Sequence, residues 1–275
     1  MKPNELPRVL DPGQLEPMLG DENLLVVDLS RPEQYARLHI PGAVHLDYSL
    51  IVHGQRPAPG LLPDPAQLAK VLGALGLRPE HHVVAADDEG GGRAARLLWT
   101  LDVIGHTTWS LLDGGMHAWI NEGHPVEERT VQPTPGDCPV SYGDGPIATL
   151  DWIRDRLEDD DVRILDARTA EEYHGVKSFA ARPGHIPGAV NLDWMQTMDR
   201  ARNLRLLPEE TLRELLDARG LTPDRQIVCH CQTHHRSSHS YVMLRHLGYP
   251  RVKGYPGSWA EWGNDPDVPV ATGED

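Results

Sequence analysis

The chain has 275 residues, 39% of them hydrophobic, and a formal net charge of −15. That length exceeds one average domain and can bury a sizeable core. The acidic balance argues against a nucleic-acid partner, because phosphate binding needs a basic surface, and no apolar run approaches the roughly 18 residues of a membrane span.

The opening "MKPNELPRVL" lacks the apolar block of a secretory signal, so a cytoplasmic protein is expected. Next comes "LLVVDL", strand-like by its length and β-branched content, and the same holds for "HVVAAD", "RILDA" and "QIVCH" further along. In "LPEETLRELLDARG" the residues Leu212, Leu215 and Leu216 form an i, i+3, i+4 stripe, Pro208 stands near the start and Gly220 can terminate the helix. Strands alternating with helices imply an α/β protein with mostly parallel sheets covered by helices.

An internal repeat organises these elements. The stretch "VVDLSRPEQYARLHIPGAVHLDY" (Val26 to Tyr48) returns as "ILDARTAEEYHGVKSFAARPGHIPGAVNLDW" (Ile164 to Trp194), with "HIPGAV" identical and about eight extra residues ahead of it in the second copy. The agreement continues through the following helix, strand and "LLDGGMHAWINEGHPV", which parallels "GYPGSWAEWGNDPDVPV". The repeat divides the chain into an N-terminal domain, 1–128, a linker, 129–147, rich in Pro, Gly and acids, and a C-terminal domain, 148–275. Cys138 falls in the linker and reads as incidental. His39 and His185 of the two "HIPGAV" turns read as packing or hydrogen-bonding residues, since both copies carry them.

Cys138, Cys229 and Cys231 are too few and too oddly numbered for a disulfide framework, which leaves metal, redox, nucleophilic or packing roles. Two of them lie in "IVCHCQTHHRSSHS" (Ile227 to Ser240), between a strand and a helix, where backbone N–H groups favour an anion. Aligning the copies by the shared strand and the following arginine sets Asp88 opposite Cys231 and Arg93 opposite Arg236. On that alignment only the second copy holds a thiol, which the helix dipole and Arg236 would keep ionised, and the first copy is expected to be inactive.

Three chemistries compete for this loop. A metal site would use Cys229, His230, Cys231, His234, His235 and His239, but structural zinc sites usually close with a second ligand pair across a longer spacer, so no metal is expected. A phosphatase loop has the spacing Cys-x5-Arg, and Cys231 to Arg236 is Cys-x4-Arg. The shorter ring suits a smaller group on the sulfur, as in sulfur transfer. A non-catalytic anion- or sulfide-sensing module is a further alternative.

With its paired "HIPGAV" turns, "CQTHHRSS" loop and "GYPGSWAEW", the chain resembles the tandem-domain rhodaneses, the thiosulfate and 3-mercaptopyruvate sulfurtransferases, over nearly its full length. The resemblance implies two tandem rhodanese-like domains, the second catalytic, with Cys231 as the nucleophile that carries a persulfide. It implies no cofactor, a small-molecule sulfur donor, cyanide or a thiol as acceptor, and a monomer. The candidates around the substrate are Arg236, His234, His235 and Arg182 as positive groups, with Gln232 and Thr233 supplying backbone N–H donors and loop shape. Asp166 and Arg168 are expected to form a structural ion pair, and Trp259 and Trp262 to pack in the core. Relatives that use mercaptopyruvate carry "CGSGVTA"-like loops and a Phe-Arg-Gly element, whereas this chain has Tyr173-His174-Gly175, so thiosulfate is the expected donor. Such loops often have glycine at the position of His234, where a positive φ is anticipated.

Overall fold

The computed structural model describes residues 6–273, which fall into two compact units. One comprises the chain up to Val52 with Pro63–Gly143 and Asp199–Leu206; the other comprises His53–Leu62, Asp144–Met198 and everything from Leu207 on. The boundaries therefore differ from a simple cut at the linker: two short excursions, His53–Leu62 and Asp199–Leu206, each belong with the other unit. Residues 129–143 have no helix or strand but belong with the first unit, where the Gly136 N–H donates to the Gly73 carbonyl (2.8 Å) and the Gly143 N–H to the Val103 carbonyl (2.8 Å).

In the first unit the elements run β1 (Val9–Leu10), α1 (Pro12–Leu15), β2 (Leu24–Asp28), α2 (Pro32–Arg37), β3 (Val44–His45), α3 (Pro65–Ala74), β4 (His82–Ala86), α4 (Gly92–Val103), β5 (Trp109–Leu112) and α5 (Gly115–Asn121). The strands form a five-stranded parallel sheet in the order β1-β5-β4-β2-β3. Continuing the chain are α6 (Leu150–Arg154), β6 (Val162–Asp166), α7 (Ala170–Tyr173), β7 (Ala189–Asn191), a short pair β8 (Met198–Asp199) with β9 (Arg205–Leu206), α8 (Glu209–Asp217), β10 (Gln226–His230), α9 (Arg236–His246), β11 (Val252–Gly254) and α10 (Ser258–Trp262). Here the order is β11-β10-β6-β7, again parallel.

The central strands explain the apolar runs of the sequence. All of β4 is buried, and so is β10 after its first residue, as strands covered on both faces by helices must be. The expected stripe of α8 buries Leu212 and Leu216, each contributing roughly 1.5–3 kcal/mol by leaving water. Trp259 and Trp262 are fully buried in the second core with Ile164, Val228 and Tyr255.

The repeated "HIPGAV" turn does the same work in both copies. Tyr35 stacks on His39 with ring centroids 3.9 Å apart, and Tyr173 on His185 at 3.7 Å. Each tyrosine hydroxyl donates to a carbonyl at the start of the next strand, that of Ala43 just before β3 (2.7 Å) or of Ala189, the first residue of β7 (2.6 Å). Both histidines are fully buried and structural. Gly184, just before His185, has φ +113, and a Cβ there would collide with the Ala271 carbonyl oxygen. Gly184→Ala should therefore lower the Tm by about 5 °C or more, while Gly220→Ala, strained in φ but facing open space, should cost less; calorimetry of the two variants checks the order.

Candidate active site

Parallel sheets present ligands at the carboxyl ends of their strands, and Cys231 is the first residue beyond the end of β10. Its thiol is fully buried. Residues 231–235 then turn into α9, and the carbonyls of Cys231 and Gln232 are bound by α10, whose Trp259 and Ala260 N–H groups donate to them at 2.9 and 3.0 Å. His234 takes the anticipated positive φ, +53, which completes the turn.

With the carbonyls tied back, the amides face inward, and the N–H groups of Thr233 and Ser237 and the Ser237 hydroxyl bond the Cys231 sulfur. Burial pushes this thiol up, but the Arg236 guanidinium, the Ser237 hydroxyl and these amides outweigh it and hold its pKa below the ordinary thiol value. Cys229, two residues back on β10, has no such donors, and burial beside Cys231 pushes its thiol up. The two cysteines are opposite cases: the surroundings of Cys231 lower its pKa and those of Cys229 raise it.

Arg236 does not reach over the loop unassisted. Its two terminal nitrogens grip Glu172 at 2.6 and 2.8 Å, and that carboxylate also caps α7 by accepting from the Thr169 N–H (3.2 Å). Sequence reading missed Glu172, although "TAEE" carries the Thr-x-x-Glu signature of a capping box. It also missed Ser237 and Ser258; the Ser258 hydroxyl lies 3.4 Å from the Cys231 N–H and donates to the Tyr255 carbonyl (2.7 Å).

Two of the expected positive groups sit elsewhere than at the substrate. Arg182 spends its guanidinium on the carbonyls of Val268 (2.7 Å), Trp262 (2.8 Å) and Asp265, so it fastens the chain after α10 rather than facing the thiol. His234 is fully buried, and its Nδ1 lies 2.8 Å from the Ser237 Oγ. Since that hydroxyl gives its proton to the sulfur, Nδ1–H is the donor in this contact, and His234 orients Ser237 instead of binding an anion. Gln232, Thr233 and His235 are partly exposed at the loop surface, and His235 tilts toward Trp194 at 6.1 Å between centroids.

The loop histidines and cysteines do not converge. His230 faces Asp166 (3.5 Å), His239 packs edge-on against Trp194, and among the described residues no three His, Cys, Asp or Glu side chains are grouped to hold a metal. Asp166 forms the expected buried pair with Arg168 (2.5 Å), whose guanidinium also stacks on Trp259 at 4.6 Å.

Strand register corrects the alignment of the copies. Asp28 pairs with Ala86 just as Asp166 pairs with His230, so Asp87, not Asp88, stands in the place of Cys231. The shared arginine is a false anchor because Gly92 and Arg236 are the residues that open the two helices. The Asp87 carboxylate fills its own anion nest, accepting from the N–H groups of Glu89 (3.0 Å), Gly91 (2.8 Å) and Ala94 (2.9 Å). Asp88 points away and pairs with Arg31 at 2.8 Å and Arg93 at 3.3 Å.

The rhodanese-like domain model matches this chain twice, over residues 11–122 and 149–265. A thiosulfate sulfurtransferase of Pseudomonas aeruginosa is 47% identical over 97% of this chain and 98% of its own length. One of Azotobacter vinelandii is 48% identical over 96% and 97%. A 3-mercaptopyruvate sulfurtransferase of Escherichia coli is more distant, 27% identical over 96% of this chain and 91% of its own. Among solved structures, the anaerobic ergothioneine biosynthesis enzyme of Chlorobium limicola superposes with a TM-score of 0.86 at 22% identity, covering 98% of this chain and 71% of that one, a likeness of fold.

Of the groups that lower the Cys231 pKa, the Arg236 guanidinium acts most strongly. Alkylation by iodoacetamide should rise with pH through a midpoint below that of a free thiol. Arg236→Gln, which removes the cation and leaves Glu172 unpaired nearby, should move that midpoint upward by about one pH unit or more. An unmoved midpoint would show that the amides alone set the thiolate.

Proposed function

The chain belongs to the rhodanese family, and from that membership we propose that it is a thiosulfate sulfurtransferase working through a persulfide on Cys231. The single observation that carries this reading is a buried Cys231 whose pKa is lowered by inward-facing amides, the Ser237 hydroxyl and Arg236. Its thiolate attacks the outer sulfur of thiosulfate; a sulfur–sulfur bond to Cys231 forms as the bond to the sulfite sulfur breaks, and sulfite leaves with that bonding pair. An acceptor, cyanide or a thiolate, then attacks the outer sulfur of the persulfide and returns the bonding pair to Cys231. The amides of Thr233 and Ser237 stabilise the negative sulfur in every state.

Arg236, Gln232, Thr233 and His235 surround the incoming donor, Glu172 and His234 act as positioning residues, and Arg182 plays no part in binding. The choice of thiosulfate over mercaptopyruvate is supported by the two relatives sharing nearly half of their residues with this chain over almost its whole length. The first domain is silent because Asp87 occupies the nucleophile's place. The protein acts as a monomer in a reducing, cytoplasmic setting, consistent with its three free cysteines. No described helix is long and apolar enough to cross a membrane.

Intact mass after thiosulfate treatment tests the reading: the chain should gain about one sulfur (~32 Da), lose it to cyanide, and gain nothing as Cys231→Ser. Asp87→Asn should gain the sulfur normally, since the first copy takes no part. A wild-type chain that stays at its starting mass would refute sulfur transfer.

A further inference from the structure

Of the five carbonyls in the loop 231–235, four accept hydrogen bonds from within the second repeat. The Trp259 and Ala260 N–H groups bind those of Cys231 and Gln232, while the hydroxyl (2.6 Å) and N–H (3.2 Å) of Ser238 bind those of His234 and His235. The fifth, that of Thr233, has no N–H or O–H donor among the described residues.

What meets it instead is Gly60, in the excursion His53–Leu62 that belongs to the first repeat by sequence and to the second unit by packing. A Cβ on Gly60 would collide with the Thr233 carbonyl oxygen and lie 2.7 Å from that of Pro256. The Cα–H in its place faces both oxygens, a weak attraction that needs only the room of a hydrogen. Gly60 is not among the residues of positive φ, so its backbone would admit a side chain and the contact alone requires glycine. The excursion that presents it is closed on itself: the His53 N–H donates to the Leu61 carbonyl (2.8 Å) and the Gly54 N–H to that of Pro59 (3.2 Å), around a buried Ala58.

The duplication shows how particular this contact is. "GLLP" (Gly60 to Pro63) aligns with "RLLP" (Arg205 to Pro208), and Asp113 aligns with Pro256 ahead of the paired "GGMHAW" and "GSWAEW". In the first unit Arg205 reaches Asp11 (2.6 Å), Glu122 (2.7 Å) and Asp113 (3.5 Å). The place that holds an arginine beside Asp113 thus holds a bare glycine beside Pro256 and the loop that follows Cys231. The direction of the Thr233 carbonyl fixes the plane of the 233–234 peptide, and that plane sets the φ of His234, +53, which residues other than glycine adopt rarely. Swung inward, the same carbonyl would bring its negative end toward the sulfur that the Thr233 and Ser237 amides bind.

We propose that Gly60 is a positioning residue of the catalytic loop: by leaving room for the Thr233 carbonyl on the outer side, it holds the 233–234 peptide in the orientation that aims the loop's amides at Cys231. The first repeat, with Asp87 where the second has its thiol, contributes to the second repeat's site through this one backbone contact. The inference rests on the reading of Cys231 as the nucleophile.

The test compares the full chain with its Gly60→Ala, Gly54→Ala and Pro59→Gly variants by the pH dependence of iodoacetamide alkylation, followed at Cys231 by peptide mass. Gly54 lies in the same excursion at φ +71 with open space where a side chain would stand, so its alanine variant strains the excursion without touching the loop. Gly60→Ala should raise the alkylation midpoint by about half a pH unit or more, and Gly54→Ala should leave it at the wild-type value. Pro59→Gly, which loosens the excursion without adding an atom to the contact, should raise it by less. A Gly60→Ala midpoint equal to wild type, or a Gly54→Ala midpoint displaced as far, would overturn the proposal. Should Gly60→Ala not fold, Pro59→Gly decides alone: a raised midpoint supports the proposal and an unmoved one overturns it. A wild type that alkylates like a free thiol and gains no sulfur from thiosulfate would instead remove the nucleophile reading and this proposal with it.

Discussion

A negative sulfur with no solvent exposure must find in the protein what it has lost in water, and that requirement shapes the loop between β10 and α9. Left uncompensated, such burial costs several kcal/mol. The compensation comes from amides turned inward, and they can turn inward only because the carbonyls of Cys231 and Gln232 are bound from outside by α10. The positive φ of His234 and the hydroxyl of Ser258 belong to the same arrangement. α10 is thus part of the site although none of its side chains is a nucleophile or a charge on the substrate.

The duplication separates the scaffold from its reagent. Both copies place an acid at the end of the strand beside the loop, Asp28 or Asp166, and both wrap the loop's first side chain in amides. In the second copy burial pushes Asp166 up, but His230 and Arg168 outweigh it and its carboxyl stays below the ordinary range; in the first, Ser30 stands in the place of Arg168 and burial pushes Asp28 up. Likewise Asp87 supplies the nest with its own carboxylate, so no external anion is needed for the loop to keep its form. A fold that takes an aspartate or a cysteine at one position, each met by backbone N–H donors that oppose the effect of its burial, is a fold built around an acceptor at that point, and only the cysteine can pass a sulfur on.

The sequence made legible whatever depends on periodicity and repetition. The parallel α/β units, the stripe on α8, the structural role of His39 and His185 and the pair Asp166–Arg168 all follow from local pattern or from comparing the copies. What escaped is set by tertiary packing. Arg182 and His234 are cationic residue types near the loop, yet the first is consumed by backbone carbonyls and the second is sealed beneath Ser237. Nothing in one dimension records which way a side chain faces. Glu172 lies 64 residues from Arg236, so its part in the site could not be read from spacing. The misplacement of Asp88 has a plainer cause: an arginine shared by two loops is weaker evidence of equivalence than the ladder that fixes the strands.

On the proposed sulfur-transfer reading, the ion pair Glu172–Arg236 bears on how an acidic protein would handle anionic substrates. An isolated guanidinium beside the thiolate would attract thiosulfate strongly, but it would also hold the departing sulfite, and binding that is equal before and after the reaction does nothing for the rate. Bidentate pairing with a carboxylate only 4% exposed weakens the charge felt by distant anions while fixing the guanidinium in place, where it still lowers the pKa of Cys231. At the sulfur that guanidinium is joined by the Ser237 hydroxyl and by amide dipoles aimed at one atom, short in range and insensitive to the rest of a dianion.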